Sequence, residues 1–149
     1  MTLVVSICVL FYVGFMVFMI SGLFKHTDLE IKSSETLPNV SVVVAARNEE
    51  VHLPHLISDL ISQEYPLDKL EVIIVNDRST DDTAAILDDA SDNYAFIKVI
   101  TIDQVSKDMT PKKNALTKGI EAAFGEIIVL TDADCRVGKL WVSSMAYSV

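Results

Sequence analysis

The sequence predicts a doubly wound, mostly parallel α/β sheet preceded by one transmembrane helix, and three observations carry that prediction. Short apolar runs alternate with helix-period segments along residues 40–135, joined by brief connections, the pattern that feeds parallel strands through helical crossovers. Two of the apolar runs end in acids: Ile127-Ile128-Val129-Leu130 leads into Thr131-Asp132-Ala133-Asp134-Cys135, and Glu71-Val72-Ile73-Ile74-Val75-Asn76 leads into Asp77. Ligands of a parallel sheet bind outside the carboxyl ends of its strands, so both acidic ends fall where a site is expected. Residues 3–24, finally, hold no charged side chain.

As a helix, residues 3–24 would span roughly 33 Å at about 1.5 Å per residue, against a hydrocarbon core of about 30 Å. They lack the basic start, the shorter apolar stretch and the small-residue cleavage site of a signal peptide. They are apolar on every face, unlike a helix at the surface of a soluble core. Residues 1–24 are therefore read as a transmembrane anchor. Lys25, His26 and Lys32 follow it and no Lys or Arg precedes it, which by the positive-inside rule sets the remainder in the cytoplasm. Residues 25–39, charged and small polar up to Pro38, read as a juxtamembrane linker, and residues 40–149 as the globular part.

Within that part, Val40–Ala46 is a buried strand and Arg47-Asn48-Glu49-Glu50 its exit loop. Leu53, Leu56, Ile57, Leu60 and Ile61 recur at helical spacing. Pro54 fits only a first turn, so that helix starts near residues 50–53. Tyr65-Pro66-Leu67-Asp68 breaks it, and Leu70–Val75 forms a second strand. Beyond Asp77, the run Arg78-Ser79-Thr80-Asp81-Asp82-Thr83 offers N-cap hydroxyls and acids to a helix carrying Ala84, Ala85, Ile86, Leu87 and Ala90. Phe96–Thr101 is a third strand. A polar loop over residues 103–111 leads into a helix with Ala115, Leu116, Gly119, Ile120 and Ala123 on one face, closed by Gly125 as its C-terminal cap. The fourth strand, a buried one, delivers Asp132.

Composition narrows the function. A chain of 149 residues with 50% hydrophobic content is one domain's worth of sequence with ample core. The whole net charge of −9 lies in residues 25–149, which argues against a nucleic-acid partner, since phosphate backbones are held by clustered Lys and Arg. An acidic protein can still bind an anion when a divalent cation inverts the local field. Asp132 and Asp134, two apart in extended chain, face one way and suit a small, hard cation that could hold a diphosphate. Cys8 and Cys135 are expected to be free thiols. Asn39-Val40-Ser41 matches a glycosylation acceptor but runs into a buried strand and is set aside as chance.

Four segments in order, Val42-Val43-Val44-Ala45-Ala46-Arg47-Asn48-Glu49-Glu50, Val75-Asn76-Asp77-Arg78-Ser79-Thr80-Asp81-Asp82-Thr83, Lys112-Lys113-Asn114-Ala115-Leu116 and Thr131-Asp132-Ala133-Asp134, make the chain resemble the family 2 glycosyltransferases. These are inverting, nucleotide-sugar-dependent enzymes with a Rossmann-like GT-A fold, and the chain most resembles their membrane-bound, processive-synthase-like branch. The resemblance implies that Ala46, Arg47 and Glu49 hold the uridine and that Asp77 accepts a hydrogen bond from the base. It implies further that Lys112 lies near the nucleotide, that Asp132 orients the ribose or assists the metal, and that Asp134 ligates Mg²⁺ or Mn²⁺ bridging the phosphates. A UDP-sugar is the implied donor, with GDP open because Asp77 would serve guanine as well, and a lipid or polysaccharide is the implied acceptor. The family's general base comes downstream of the acidic pair and is expected beyond Val149. No catalytic residue is thus assigned within the chain, which is expected to bind UDP with metal but to transfer no sugar.

Residue by residue, other roles stay open. Asp77 could be a turn or N-cap acid, and Lys112 a solvated lysine for which Lys113 would substitute. Arg47 could steady the diphosphate or pair with Glu50. His52 and His55 read as a solvated face, and Trp141 as core. The alternative functions are a non-catalytic, membrane-anchored nucleotide-sugar-binding module and a nucleotidyltransferase; the glycine-rich phosphate loop expected of the latter is missing from Ala45-Ala46-Arg47-Asn48-Glu49.

Overall fold

A computed structural model describes residues 2–23 and 37–147, with side chains described for 6–21 and 37–147. The chain divides into two compact units, Met1–Lys32 and Ser33–Val149. The first contains helix α1, Thr2–Leu23. Its described side chains, residues 6–21, are all exposed, Phe11 at 81% among them. Among the described residues no helix is long and apolar enough to cross a membrane. The expected transmembrane helix over residues 3–24 extends past those side chains at both ends and is not established by the structure. Most of the expected linker, residues 25–36, lies outside the described residues.

The second unit is built on a four-stranded sheet in the order β3-β2-β1-β4. Strands β1 (Val40–Ala46), β2 (Leu70–Asp77), β3 (Ile97–Ile102) and β4 (Ile127–Asp132) are, among the described residues, parallel in every pairing. Helices α2 (Leu53–Ile61), α3 (Thr83–Asn93), α4 (Pro111–Ala122) and α5 (Trp141–Ala146) complete it, with a 3-10 turn at Leu67–Lys69. Alternation along β1 splits its side chains between two cores. Val42 and Val44 pack with Leu53 and Leu56 of α2, Leu87 of α3 and Val142 of α5, whereas Val43 packs with Ile73, Val75 and Ala115 of α4. Helices thus cover both faces, as a doubly wound sheet requires. Chain order runs outward from β1 to β2 to β3 and then returns to the other side of β1, which makes the gap between β1 and β4 the switch point where such sheets bind ligands.

Three expectations are corrected. β4 is not buried along its length: Ile128 and Leu130 are 41% and 48% exposed. It is an edge strand among the described residues, and its alternate side chains point to the face where α4 packs against β1, β2 and β3. Gly125 is not a left-handed cap, because no described glycine has positive φ and α4 ends at Ala123 in extended backbone. Gly125 is needed for close approach instead: a Cβ there would sit 2.5 Å from the Ser41 nitrogen. The hydroxyls before α3 do not cap it either. Asp82 stands at the N-cap without a side-chain bond, and the Thr83 N–H goes to the Asp81 carboxylate at 3.1 Å. On α3 the buried face is Thr83, Leu87 and Ala90, with Ala84 and Ala85 exposed.

Candidate functional site

Ala46, Arg47, Glu49, Asp77, Lys112, Asp132 and Asp134 all line one cavity of about 280 Å³ at the β1/β4 switch point. Asp77 is the last residue of β2, Ala45 and Asp132 are register partners across β1 and β4, and Lys112 stands in the first turn of α4. The strands end together because the parallel register aligns them. That alignment brings residues from four distant stretches of sequence to a single wall.

The two acids of the pair share the cavity for a reason other than extended alternation. Asp132 closes β4, but Asp134 lies in a turn whose Cys135 N–H donates to the Asp132 carbonyl at 3.2 Å. Ala133 between them is 2% exposed and packs into the core, so the turn is pinned from beneath while both carboxylates stay outside. Lys112 Nζ lies 2.8 Å from Asp132 Oδ1. The carboxylate raises that ammonium above its ordinary range, and the contact marks the pocket as one that accommodates positive charge. Lys113 does not line the cavity.

Asp77 is buried and does not cap a helix, which removes the N-cap alternative. Arg78 grips it with a fork, Nε to Oδ1 at 2.8 Å and Nη2 to Oδ2 at 3.2 Å, while Arg47 Nη1 stands 4.0 Å from Oδ2. Arg47 therefore pairs with Asp77, whereas the Glu50 carboxylate accepts from the Asp82 N–H at 3.0 Å. Each carboxylate oxygen has two lone pairs, so the fork leaves acceptor capacity facing the cavity.

The loops after β1 and β2 hold each other in shape. Asn48 donates its N–H to Ser79 Oγ at 3.0 Å and accepts from the Thr80 N–H at 2.8 Å; the Glu49 N–H donates to Thr83 Oγ1 at 2.8 Å; the Glu50 N–H donates to Asp81 at 3.2 Å. Asn48 and Arg78 adopt φ of 57° and 55°, a left-handed conformation that is uncommon for Arg and that the interloop bonds stabilise. The sequence carried no sign of this clasp beyond a run of hydroxyls, whose expected role was capping. His52 and His55 are exposed and outside the cavity, and Trp141 is half-buried against the core. Cys8 and Cys135 are free.

Among the described residues no group of three or more His, Cys, Asp or Glu is arranged to hold a metal. The cavity offers Asp132 and Asp134, oxygen donors only. That set suits Mg²⁺ or Mn²⁺, which are held through one or two carboxylates with the remaining positions left to water and substrate phosphate, and it does not suit zinc.

Residues 41–148 match the model of Glycosyl transferase family 2. The chain is 38% identical over 115 residues to a beta-monoglucosyldiacylglycerol synthase of Nostoc sp., covering 77% of this chain and 24% of that protein. Among solved structures it is similar to S. aureus TarS 1–349 (28% identity, TM-score 0.63, 71% of this chain and 30% of that one), a protein also solved with UDP-GlcNAc. It is likewise similar to a mannosyltransferase of Pyrobaculum calidifontis solved with GDP-Man and Mn²⁺ (28% identity, TM-score 0.60, 70% and 30%). The chain spans about a quarter of the length of the curated relatives it matches.

Proposed function

The chain belongs to glycosyl transferase family 2, and from that premise we propose that its cavity holds the nucleotide diphosphate of a UDP-sugar with Mg²⁺ or Mn²⁺, for inverting transfer to a hydroxyl of a lipid or polysaccharide. The observation that carries the reading is the meeting of Asp77 with the Asp132/Asp134 pair in one cavity at the switch point of a parallel sheet. A base needs a directional acceptor, and a diphosphate needs positive charge.

The base lies against the loop of Ala46, Arg47 and Glu49, and the buried carboxylate of Asp77 accepts from its N–H. Arg78 holds that carboxylate in plane. A charged acceptor makes this bond stronger than a neutral one would. Asp132 and Asp134 present their oxygens to the cation, which when bound neutralises charge developing on the leaving diphosphate. Lys112 exchanges its contact with Asp132 for a phosphate oxygen as the donor enters, so its positive charge is already in the pocket. Deprotonation of the acceptor hydroxyl is assigned to the part of the relatives' length that this chain does not match. Residues 3–24 anchor the protein in a membrane, with residues 40–149 on the cytoplasmic side.

Calorimetry with UDP, GDP, CDP and nucleoside triphosphates, with and without Mn²⁺, tests the reading. UDP is expected to bind best and to gain affinity from Mn²⁺, and Asp134→Asn is expected to abolish the gain. Metal-independent UDP binding, or a gain that survives in Asp134→Asn, would overturn it. A preference for triphosphates would favour a nucleotidyltransferase.

A further inference from the structure

The turn that carries Asp134 continues into a loop without regular structure as far as Leu140. Its fixation comes from α2, far away in sequence. Asp59 accepts three hydrogen bonds from it: Arg136 Nε at 2.6 Å, Arg136 Nη2 at 2.9 Å and the Val137 N–H at 3.1 Å. Gln63, two residues past the end of α2 at Ile61 and 7% exposed, spends its whole amide in the same place. Its Nε2 donates to the Gly138 carbonyl at 2.8 Å and to the Asp59 carbonyl at 2.9 Å, and its Oε1 accepts from the Val142 N–H at 2.9 Å. The Glu64 N–H adds a bond to the Lys139 carbonyl at 2.8 Å.

The other end of α2 grows out of the nucleotide-side loop. The Glu49 carbonyl accepts from the N–H groups of His52 and Leu53 at 3.1 and 2.9 Å. Between the two ends Leu53, Leu56 and Leu60 are fully buried against the sheet, so the helix cannot slide. One rigid element therefore starts on the loop of Glu49 and finishes on the loop of Asp134.

We infer that Asp59 and Gln63 are positioning residues of the donor site: through α2 they set where the acidic pair stands relative to the base-side loop. The inference rests on the donor-site reading above. It separates two contributions to affinity, because the base-side loop is clasped by Ser79, Asp81 and Thr83 and keeps its shape when the far end of α2 is released.

The test measures metal-free UMP binding, and UDP binding with and without Mn²⁺, in the full chain. UMP reports on the base side, and the Mn²⁺-dependent gain for UDP reports on the acidic pair. In Asp59→Asn, and in Gln63→Glu, which sets a carboxylate against two carbonyls, UMP affinity should change less than about twofold while the Mn²⁺-dependent gain falls by roughly 10- to 100-fold, the range seen when outer partners of metal ligands are removed. The charge swap Asp59→Arg with Arg136→Asp should recover most of the gain. Arg136→Lys, at an exposed position, guards against unfolding of the Asp59 variant and should show a smaller loss of the same kind. A gain unchanged in all of these overturns the inference, as does a parallel fall in UMP and UDP affinity, which would mark the tether as general stabilisation. Absence of any Mn²⁺-dependent gain in the unaltered chain would instead remove the donor-site reading on which the inference stands.

Discussion

Arg78 shows what one residue does here. Its guanidinium meets the neighbouring carboxylate of Asp77 through two bonds only because its own backbone is left-handed at φ 55°; in extended chain adjacent side chains point to opposite faces. Arg78→Gln keeps the length of the arm and loses the charged fork. UDP affinity is expected to fall roughly tenfold, the effect of weakening one hydrogen bond to a charged group, with the Mn²⁺-dependent gain retained; an unchanged affinity by calorimetry would mean that Asp77 does not need its clamp. A pH series carries a second expectation. The Arg136 hydrogen bond, with smaller contributions from the Val137 N–H, holds the Asp59 carboxyl below the usual range despite opposing desolvation. A depressed folded pKa contributes stability above the unfolded value of about 3.9 and loses it as pH falls through the lower folded value. The tether should therefore stay intact from pH 8 down to about pH 5, and Asp59→Asn should flatten the acid limb of a stability-against-pH curve below about pH 4. Asp77, Asp132 and Asp134 were legible in the sequence because strand ends collect polar groups in a fixed place, and Ala46, Arg47, Glu49 and Lys112 through the resemblance to family 2 glycosyltransferases. Arg78, Asp59 and Gln63 were not, since a left-handed arginine has no sequence signal and Gln63 meets Gly138 across 75 positions.

Strands and helices were legible from period alone, and their limits were set by something else. β2 was expected to stop at Val75 and runs to Asp77, because Asn76 and Asp77 pair with Thr101 and Ile102 of β3 and a ladder partner extends a strand past its apolar residues. The misreading of β4 has the same character: periodicity marks the strand, but burial depends on which helix lies over it. Packing of α4 on the sheet turns on Gly119, where a Cβ would overlap Val43. Gly119→Ala should gain helix propensity but overpack that contact, for a net loss of about 1–3 kcal/mol, read from urea unfolding; a stabilised variant would mean that α4 can lift without consequence. Thr83 tests the clasp between loops. It is fully buried, and Thr83→Val keeps its shape while leaving the Glu49 N–H unpaired, at a cost of about 1–3 kcal/mol. If the clasp shapes the base-side loop, metal-free UMP binding weakens in the same variant. Unfolding and titration together separate a stabilising bond from an organising one.

At the scale of the whole chain, the sequence is two materials joined end to end. Residues 1–24 hold no formal charge, and residues 25–149 hold all of it, a net −9. That contrast was plain from composition, yet what it does depends on partners that folding physics alone does not name. The exposed apolar side chains of α1, Phe11 and Phe18 among them at 81% and 73%, would cost about 25 cal/mol for each Å² left in water, and a bilayer removes that cost. An acidic body gains nothing from a lipid surface, since anionic headgroups repel it. Any membrane affinity must therefore come from residues 3–24 and be insensitive to salt, which screens charges but not apolar burial. The full chain is expected to float with vesicles of zwitterionic phosphatidylcholine in a density gradient and to stay with them in 1 M salt, where the Debye length is about 3 Å, whereas residues 25–149 alone should remain at the bottom. Release of the full chain by salt, or flotation of the shortened one, would transfer the membrane affinity to the acidic body and end the anchor reading.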